Sequence, residues 1–553
     1  MAGQTSEERD AENAGNESFA PGEDSWWILV TAIVASALLR FLAHPPVQVS
    51  LTIWVALIGY FVFFNRVRSW MGLIGGTWVW AMLFYLPGIF WIRHVSVFAW
   101  LGLSAISAAF PLVFAVLLRW ISPRPGARQV VTAAAAWLIS EYVQTHFLSG
   151  FPYLFLSHSQ AEVTPLIQIS EITGAWGVSA IIVLVNGVLY LVMEYVWHMW
   201  KEDPSFQVSC SRMGWLGGGV ALLLAGSVAF GIWRLDTMEV TRGPQVGVLQ
   251  GNIPQTIKNQ SHTGQEIFDR YRRLARSVSD RAELIVWPET MFPYPVLKAG
   301  GRARVSDPAK LKQLMEATSV PHLIGVRTIE RRGEQRSDYN SAWLVNRDGD
   351  LEQFYAKYHL VPFGEYVPGQ SLVPGLRNWM SSILPIPEAM WLDAGPPPSK
   401  SRLVAWNGWE LAPMICYEVV FPDEFRAQVN KGADVVVNMS NEAWYRNEAE
   451  LDQMLSIVRF RSVEHRVTTV RATNTGISGF VFPDGRAHLM RDEQGSDRGF
   501  RGAMVDRPNV WRGRTFFSTY GNWLIWGGVI LLLWLAVRGN MDGSGRIYTV
   551  ENR

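Results

Sequence analysis

The chain has 553 residues, 49% hydrophobic and 12% aromatic, with 26 Trp, 2 Cys and a net charge of +1 from 49 basic and 48 acidic residues. That composition excludes a disordered chain and a disulfide scaffold, and the near-neutral balance gives no global attraction to nucleic acid. The charges are unevenly spread: Trp26 to Trp233 holds 15 in 208 residues, about 7%, whereas the other 345 positions carry about 24%, the usual share of a soluble domain.

Residues 1–23 are rich in Glu and Asp, with Arg9 as the one basic residue. They are the wrong sign for the start of a secretory signal and are read as a disordered cytoplasmic tail. Residues 24–238 follow as a transmembrane domain. A helix needs about 20 mostly apolar residues to cross the hydrocarbon core, and a charge at its centre costs at least ~2.5 kcal/mol, so charges mark the ends of spans. On that rule spans are predicted from Trp26 to Leu42, Val47 to Asn65, Met71 to Trp91, Val95 to Leu118, Val130 to Tyr142, Ala175 to Trp197 and Met213 to Trp233. An eighth, Phe516 to Val537, lies within a C-terminal transmembrane segment, 515–538, followed by a cytoplasmic tail, 539–553.

With the N-terminus cytoplasmic, the connections on that side carry Arg66, Arg68, Arg119, Arg124, Arg128, Lys201, Arg212, Arg538 and Arg546. The opposite short loops carry Arg40 and Arg93. This asymmetry predicts about eight spans, both ends cytoplasmic, and the soluble segment 239–514 on the outer side. Between Glu141 and Gly174 there is no Lys or Arg, and the stretch contains Gly150-Phe151-Pro152-Tyr153 and Ser157-His158-Ser159-Gln160. It reads either as a re-entrant piece lining a cavity or as an interfacial aromatic belt, since irregular backbone at membrane depth must be buried or wet.

In the soluble segment, apolar runs of strand length recur at Gln245 to Gln250, Leu284 to Trp287, His322 to Val326, Ser341 to Val345, Leu411 to Tyr417, Ala433 to Met439 and Thr468 to Ala472. Helical periodicity intervenes at Glu266 to Val278 and Leu451 to His465, so the expectation is an α/β layered domain with its site at strand ends. Three reactive groups fall there: Glu289 in Trp287-Pro288-Glu289-Thr290, Lys357 in Tyr355-Ala356-Lys357-Tyr358-His359, and Cys416 in Ile415-Cys416-Tyr417-Glu418.

Each has a plain structural explanation alone, Cys416 as a small core hydrophobe, Glu289 as a helix start and Lys357 as a solvated surface charge. Cys210 is assigned to the opposite side of the membrane, so Cys416 has no disulfide partner in the chain. A Glu can take the proton of a thiol but opposes its ionisation by charge, and a Lys in the same pocket offsets that repulsion and stabilises an oxyanion. Together the three make a self-consistent acyl-transfer site. His359 is read as structural, no Gly-rich loop or His/Cys cluster suggests a phosphate or metal site, and no cofactor is expected.

The order Glu289, Lys357, Cys416 in these contexts resembles the nitrilase superfamily, which implies an α/β nitrilase-like αββα sandwich. Beside a multi-span helical membrane bundle, the likeness narrows to the apolipoprotein N-acyltransferases of the bacterial inner membrane. It rests also on Leu249-Gln250-Gly251-Asn252-Ile253-Pro254-Gln255, Leu360-Val361-Pro362-Phe363-Gly364-Glu365, Arg471-Ala472-Thr473-Asn474-Thr475-Gly476-Ile477-Ser478, Gly150-Phe151-Pro152 and Ser159-Gln160. The resemblance implies a periplasm-facing domain that moves an acyl chain from a phospholipid, through a Cys416 thioester, to the α-amine of a diacylglyceryl-cysteine apolipoprotein. Glu289 would be the base and Lys357, with the backbone N–H of Tyr417, the oxyanion partner, while Glu365, Tyr417 and Glu418 would order the triad and admit substrate. A monomer is expected. Asn259 stands where relatives have Trp, Tyr153 replaces another Trp, and Asn441-Glu442-Ala443-Trp444-Tyr445-Arg446 departs from Asn-Asp-Ala-Trp-Phe-Gly. The alternatives are a membrane-tethered amidohydrolase, in which water resolves the same thioester, and a receptor with a degenerate domain.

Overall fold

The computed structural model describes residues 25–201, 210–258, 262–370, 391–446 and 449–544, with the isolated positions 373, 375, 376 and 379. The 1–23 tail, Asn259, and positions 545–553 with Arg546 lie outside the described residues.

The charge-poor half forms α1 (Ser25–Leu42), α2 (Ile58–Arg66), α3 (Trp70–Gly88), α4 (Val97–Ile121), α5 (Ala127–His146), α6 (Ala175–Trp200) and α7 (Cys210–Thr237). Of these, α4, α6 and α7 are long and apolar enough to cross a membrane, and Trp26–Leu42, Ser50–Arg66 and Trp523–Arg538 are shorter apolar helices. The protein is membrane-embedded. Ser69 and Ser96 cap α3 and α4 by accepting from the N–H groups of Gly72 and Ala99.

Two predicted spans differ in form. The second is broken at Leu57, between Ile53–Ala56 and α2, where the Leu57 N–H donates to Asn186 Oδ1 at 2.8 Å. The last is broken at Gly521, in the left-handed region at φ +56°, into Phe516–Tyr520 and a helix that continues from Trp523 to Ser544. The fifth, α5, is longer than its apolar stretch because it packs against α4, α6 and the C-terminal helix. Its polar Gln129, Thr132, Ser140, Glu141 and Gln144 are buried among them, so hydropathy understated its length.

Beyond α7 two sheets lie face to face. The first has strands β2 (Val246–Gln250), β3 (Leu284–Val286), β4 (Phe292–Ala299), β5 (Arg302–Val305), β6 (His322–Arg332), β7 (Gln335–Val345), β8 (Leu351–Ala356) and β15 (Gly502–Asp506), in the path β15-β2-β3-β6-β4-β5 with β7 and β8 added on β6. The second runs β14-β13-β12-β11-β10-β9, built from β9 (Val404–Trp406), β10 (Trp409–Ile415), β11 (Val435–Ser440), β12 (Thr468–Thr473), β13 (Gly479–Val481) and β14 (Ala487–Leu489). A separate ribbon pairs β1 (Thr241–Arg242) with β16 (Asn509–Val510).

The facing surfaces of the sheets share one core, with Val248, Val286, Leu323 and Leu344 on one side and Leu411, Val437, Val470 and Phe480 on the other. Outside the first sheet, α8 (Gly264–Arg276) and α9 (Pro308–Thr318) bury Phe268, Tyr271 and Leu314. Outside the second, α10 (Pro422–Val429) and α11 (Glu450–His465) pack in one continuous core with the membrane helices. The order is αββα, as the periodicities and the resemblance led one to expect. β2, β3 and β6 are parallel, as are β10, β11 and β12. Their carboxyl ends form the rim where loops can carry chemistry.

Candidate active site

Each of the three predicted groups follows the end of a strand. Past β3 the chain runs through Trp287-Pro288 to Glu289, and Gly325 on β6 makes room for that turn: a Cβ there would lie 2.1 Å from the Pro288 carbonyl oxygen. Lys357 comes directly after β8, and Cys416 directly after β10. The strand leading to Lys357 was not among the predicted runs, because Leu351-Glu352-Gln353-Phe354 is too polar to read as one.

Glu289 is buried, and both its oxygens accept hydrogen bonds: Oε1 from Asn340 Nδ2 at 2.6 Å, Oε2 from the Asn441 N–H at 2.8 Å. These two donors fix the orientation of the carboxyl group. Lys357 Nζ is 3.7 Å from Glu289 Oε1 and 2.8 Å from Glu365 Oε1. Burial weakens the Lys357 ammonium, but Glu365, Glu289 and Cys416 outweigh it and hold its pKa above the ordinary lysine value. Glu365 in turn accepts the Val361 N–H at 2.8 Å with its second oxygen.

Cys416 is partly buried and has φ +54°, an uncommon backbone state for a non-glycine residue and a reservoir of local strain. Burial pushes its thiol well above the ordinary cysteine value, Glu289 and Glu365 push it further, and Lys357 opposes them. The thiol thus lies within electrostatic reach of Glu289, Lys357 and Glu365 together. That is the mutual influence that acyl-transfer chemistry requires.

Glu418, fully buried, braces the two loops. Its Oε1 accepts from Tyr355 Oη at 2.8 Å and from the Tyr358 and His359 N–H groups at 2.7 and 3.2 Å, and its Oε2 accepts from the Ile415 N–H at 2.6 Å. Four bonds thus tie the strand end before Cys416 to the segment just after Lys357. Tyr417 points the other way: its hydroxyl donates to the Gly150 carbonyl at 2.8 Å, joining the site to the membrane block. Gly150, at φ +79°, presses so close to the Thr145 carbonyl that a Cβ would lie 2.0 Å from that oxygen. His359 stacks on Phe421 at 3.7 Å and bonds Glu424 at 2.6 Å, in keeping with its structural reading.

The stretch after Gly150 is neither an open connector nor a surface belt. Positions 151–161 are all buried, and their backbone is satisfied by protein: Gln144 Nε2 donates to the Phe151 and Tyr153 carbonyls, and Glu141 Oε1 accepts the Leu156 N–H. Tyr153 stacks on Phe151 at 4.7 Å and faces Tyr417 at 6.3 Å. Beside it, Trp91 meets Tyr153 and Tyr445 at 6.0 and 4.7 Å and helps line an apolar groove of about 580 Å³, with Phe41, Leu86, Phe90, Trp100 and Ala449 among others.

Sequence reasoning passed over Asn340, the Asn441 N–H and Lys258. Lys258 Nζ donates to Thr290 Oγ1, and burial brings its pKa down to about 8 although Glu289 and Cys416 pull it up. A polar Asn at the start of a buried strand run, Asn340-Ser341-Ala342-Trp343, was the available signal for the first.

Two family models match the chain: the apolipoprotein N-acyltransferase N-terminal domain over residues 36–188, and carbon-nitrogen hydrolase over residues 245–497. The apolipoprotein N-acyltransferase of Pseudomonas syringae pv. tomato is 32% identical over 425 residues, covering 74% of this chain and 78% of its own. That of Geobacter metallireducens is 29% identical over 514 residues, covering 90% and 92%. Among solved structures, an amidase of the nitrilase superfamily from Nesterenkonia AN1, 17% identical, matches over 52% of this chain and 97% of its own at a TM-score of 0.34.

Proposed function

Because the chain belongs to the apolipoprotein N-acyltransferases, an acyl-transfer family, we propose that it carries an acyl chain from a phospholipid to the α-amine of a diacylglyceryl-cysteine apolipoprotein in two stages. In the first, Glu289 takes the Cys416 proton as Sγ attacks the ester carbonyl carbon. The tetrahedral intermediate collapses, the lysophospholipid leaves with that proton, and a thioester remains. In the second, the amine attacks the thioester, loses a proton to Glu289, and the sulfur departs and regains it. Lys357, with the backbone N–H of Tyr417, stabilises the oxyanion in both stages. Glu365 holds Lys357, Glu418 fixes the two loops relative to each other, and Tyr417 seats the site on the membrane block. Bare amide hydrolysis with the same residues is the reading that family membership sets aside.

The observation that carries the proposal is the mutual electrostatic influence of Glu289, Lys357 and Cys416, from three separate strand ends, beside an apolar groove among the membrane helices. Such placement spares the enzyme from drawing a lipid tail into water, at ~0.8 kcal/mol per CH₂. We assign 24–238 and 515–538 to the membrane as eight spans with both termini cytoplasmic, and 239–514 to the periplasmic face of the inner membrane. Mass spectrometry after incubation with phospholipid alone tests the chemistry: a gain of one acyl group on the Cys416 peptide is expected. Cys416→Ala should abolish both that gain and N-acylation, and Cys210→Ala should leave both intact. A fully active Cys416→Ala protein would end the proposal.

A further inference from the structure

Glu450, the first residue of α11, is buried to 1% exposure, yet its Oε2 has no hydrogen-bond partner among the described residues. Its other oxygen has one long contact, from Tyr153 Oη at 3.5 Å. A carboxyl group in such surroundings ordinarily has its oxygens satisfied. The neighbouring charges do not supply a partner. Arg471 is committed to Glu442 Oε1 at 2.7 Å, Asn438 Oδ1 at 2.9 Å and the Ile477 carbonyl at 3.2 Å. Asp452 is already paired, with Arg498 at 2.6 Å. Burial and Glu442 push the Glu450 carboxyl well above the ordinary glutamate value, Arg471 opposes them, and a cation beside the carboxyl would stabilise its ionised form.

Around that carboxyl stand aromatic rings. Trp91, Tyr153 and Tyr445 are mutual neighbours through Trp91, whose indole N–H is anchored to Gln453 Oε1 at 3.1 Å. Both tyrosines lie within electrostatic reach of Glu450 and of Cys416. Ala449, the residue before Glu450, and Trp91 line the apolar groove, and Tyr153 and Tyr445 link Trp91 to the surroundings of Glu450 and Cys416. An unpartnered buried carboxyl oxygen, tyrosine rings beside it and an apolar groove lined by Trp91 and Ala449 are features that suit a small organic cation on an apolar molecule.

We propose that Glu450, with Trp91, Tyr153 and Tyr445, binds the primary ammonium group of a lipid substrate. The inference rests on the acyl-transfer reading above. The ammonium has two sources: the α-amine of the acceptor's N-terminal cysteine, or the headgroup of an ethanolamine phospholipid donor.

Glu450→Gln keeps the shape of the side chain and removes its ability to ionise beside a cation, and the two half-reactions can be followed separately by intact mass. Thioester formation is measured with phosphatidylethanolamine and with phosphatidylglycerol in neutral detergent, and transfer is measured from the preformed thioester to a synthetic diacylated peptide. If the acceptor amine is the ligand, the variant raises the peptide KM about tenfold or more and leaves the preference between donors unchanged. If the headgroup is the ligand, thioester formation from phosphatidylethanolamine falls by a similar factor relative to phosphatidylglycerol. A peptide KM and a donor ratio both within about twofold of the unmodified protein overturn the inference, as does equal slowing with both donors at unchanged KM. Should the variant not fold, the unmodified protein decides. Decylammonium should inhibit at about tenfold lower concentration than decanol, and equal inhibition overturns the inference. Acylation of Cys416 by phosphatidylglycerol in the unmodified protein reports separately on the acyl-transfer reading.

Discussion

Burial, Glu289 and Glu365 push the Cys416 thiol up, and Lys357 is the charge that opposes them. The balance of charges can be read directly. In a Cys210→Ala background, iodoacetamide should modify Cys416 more slowly at pH 7 than it modifies a free cysteine, with a rate still climbing beyond pH 9, because raising the thiol pKa shrinks the thiolate fraction. Lys357→Met removes the one favourable charge and should slow alkylation further. Glu289→Gln removes an opposing charge and should speed alkylation while abolishing acyl transfer, typically by a factor of about 10² or more for loss of a general base. A plateau in the wild-type profile near pH 8, or slower alkylation of Glu289→Gln, would contradict the charge arrangement.

At the scale of elements, the site depends on how strand ends are held in register rather than on the strands themselves. Glu418 does this with four accepted bonds, one to the residue before Cys416 and three within and just beyond the β8 end. Glu418→Gln replaces one acceptor oxygen by an NH₂ group, so either the Ile415 N–H or the cluster at Tyr358 must face another donor. Each buried donor left unpaired costs about 1–3 kcal/mol. The thermal transition should drop by several degrees, at roughly 2–4 °C per kcal/mol for a domain of this size, and thioester formation should slow in proportion to the disorder of the Cys416 turn. A variant with an unchanged transition and full activity would remove Glu418 from its bracing role. The membrane helices teach a related lesson: α5 carries buried polar residues toward its neighbours, so its length follows from packing and not from hydropathy.

Across the whole molecule, the αββα layers and the helical bundle form one continuous core through α10 and α11. Polar bonds reinforce the junction: Arg466 Nε to Glu171 at 2.5 Å, Glu464 Oε1 accepting the Ala175 N–H at 2.8 Å, and Tyr417 to Gly150. The loop that carries Cys416 is thereby joined to the membrane block. The proposed orientation is open to a direct check, since Cys210 is exposed at the start of α7. In Cys416→Ala protein, a membrane-impermeant maleimide should label Cys210 only after spheroplasts are lysed, whereas a cysteine placed by Glu334→Cys on the exposed β6–β7 turn should label in intact ones. The reverse pattern would invert the topology.

Apolar runs, charge spacing and the contexts of Glu289, Lys357 and Cys416 were enough to specify a membrane block, a layered α/β domain and an acyl-transfer chemistry. All of these are written locally, in periodicity and in short motifs. What only the tertiary structure decided is which distant residues serve those groups. Asn340 on Glu289, the particular N–H groups that Glu418 accepts, Gly150 under Tyr417, and Tyr153 beside the unpartnered oxygen of Glu450 each join positions tens to hundreds of residues apart. Hydrogen bonding and desolvation act through space, so their outcome at a buried side chain depends on partners that no local window contains.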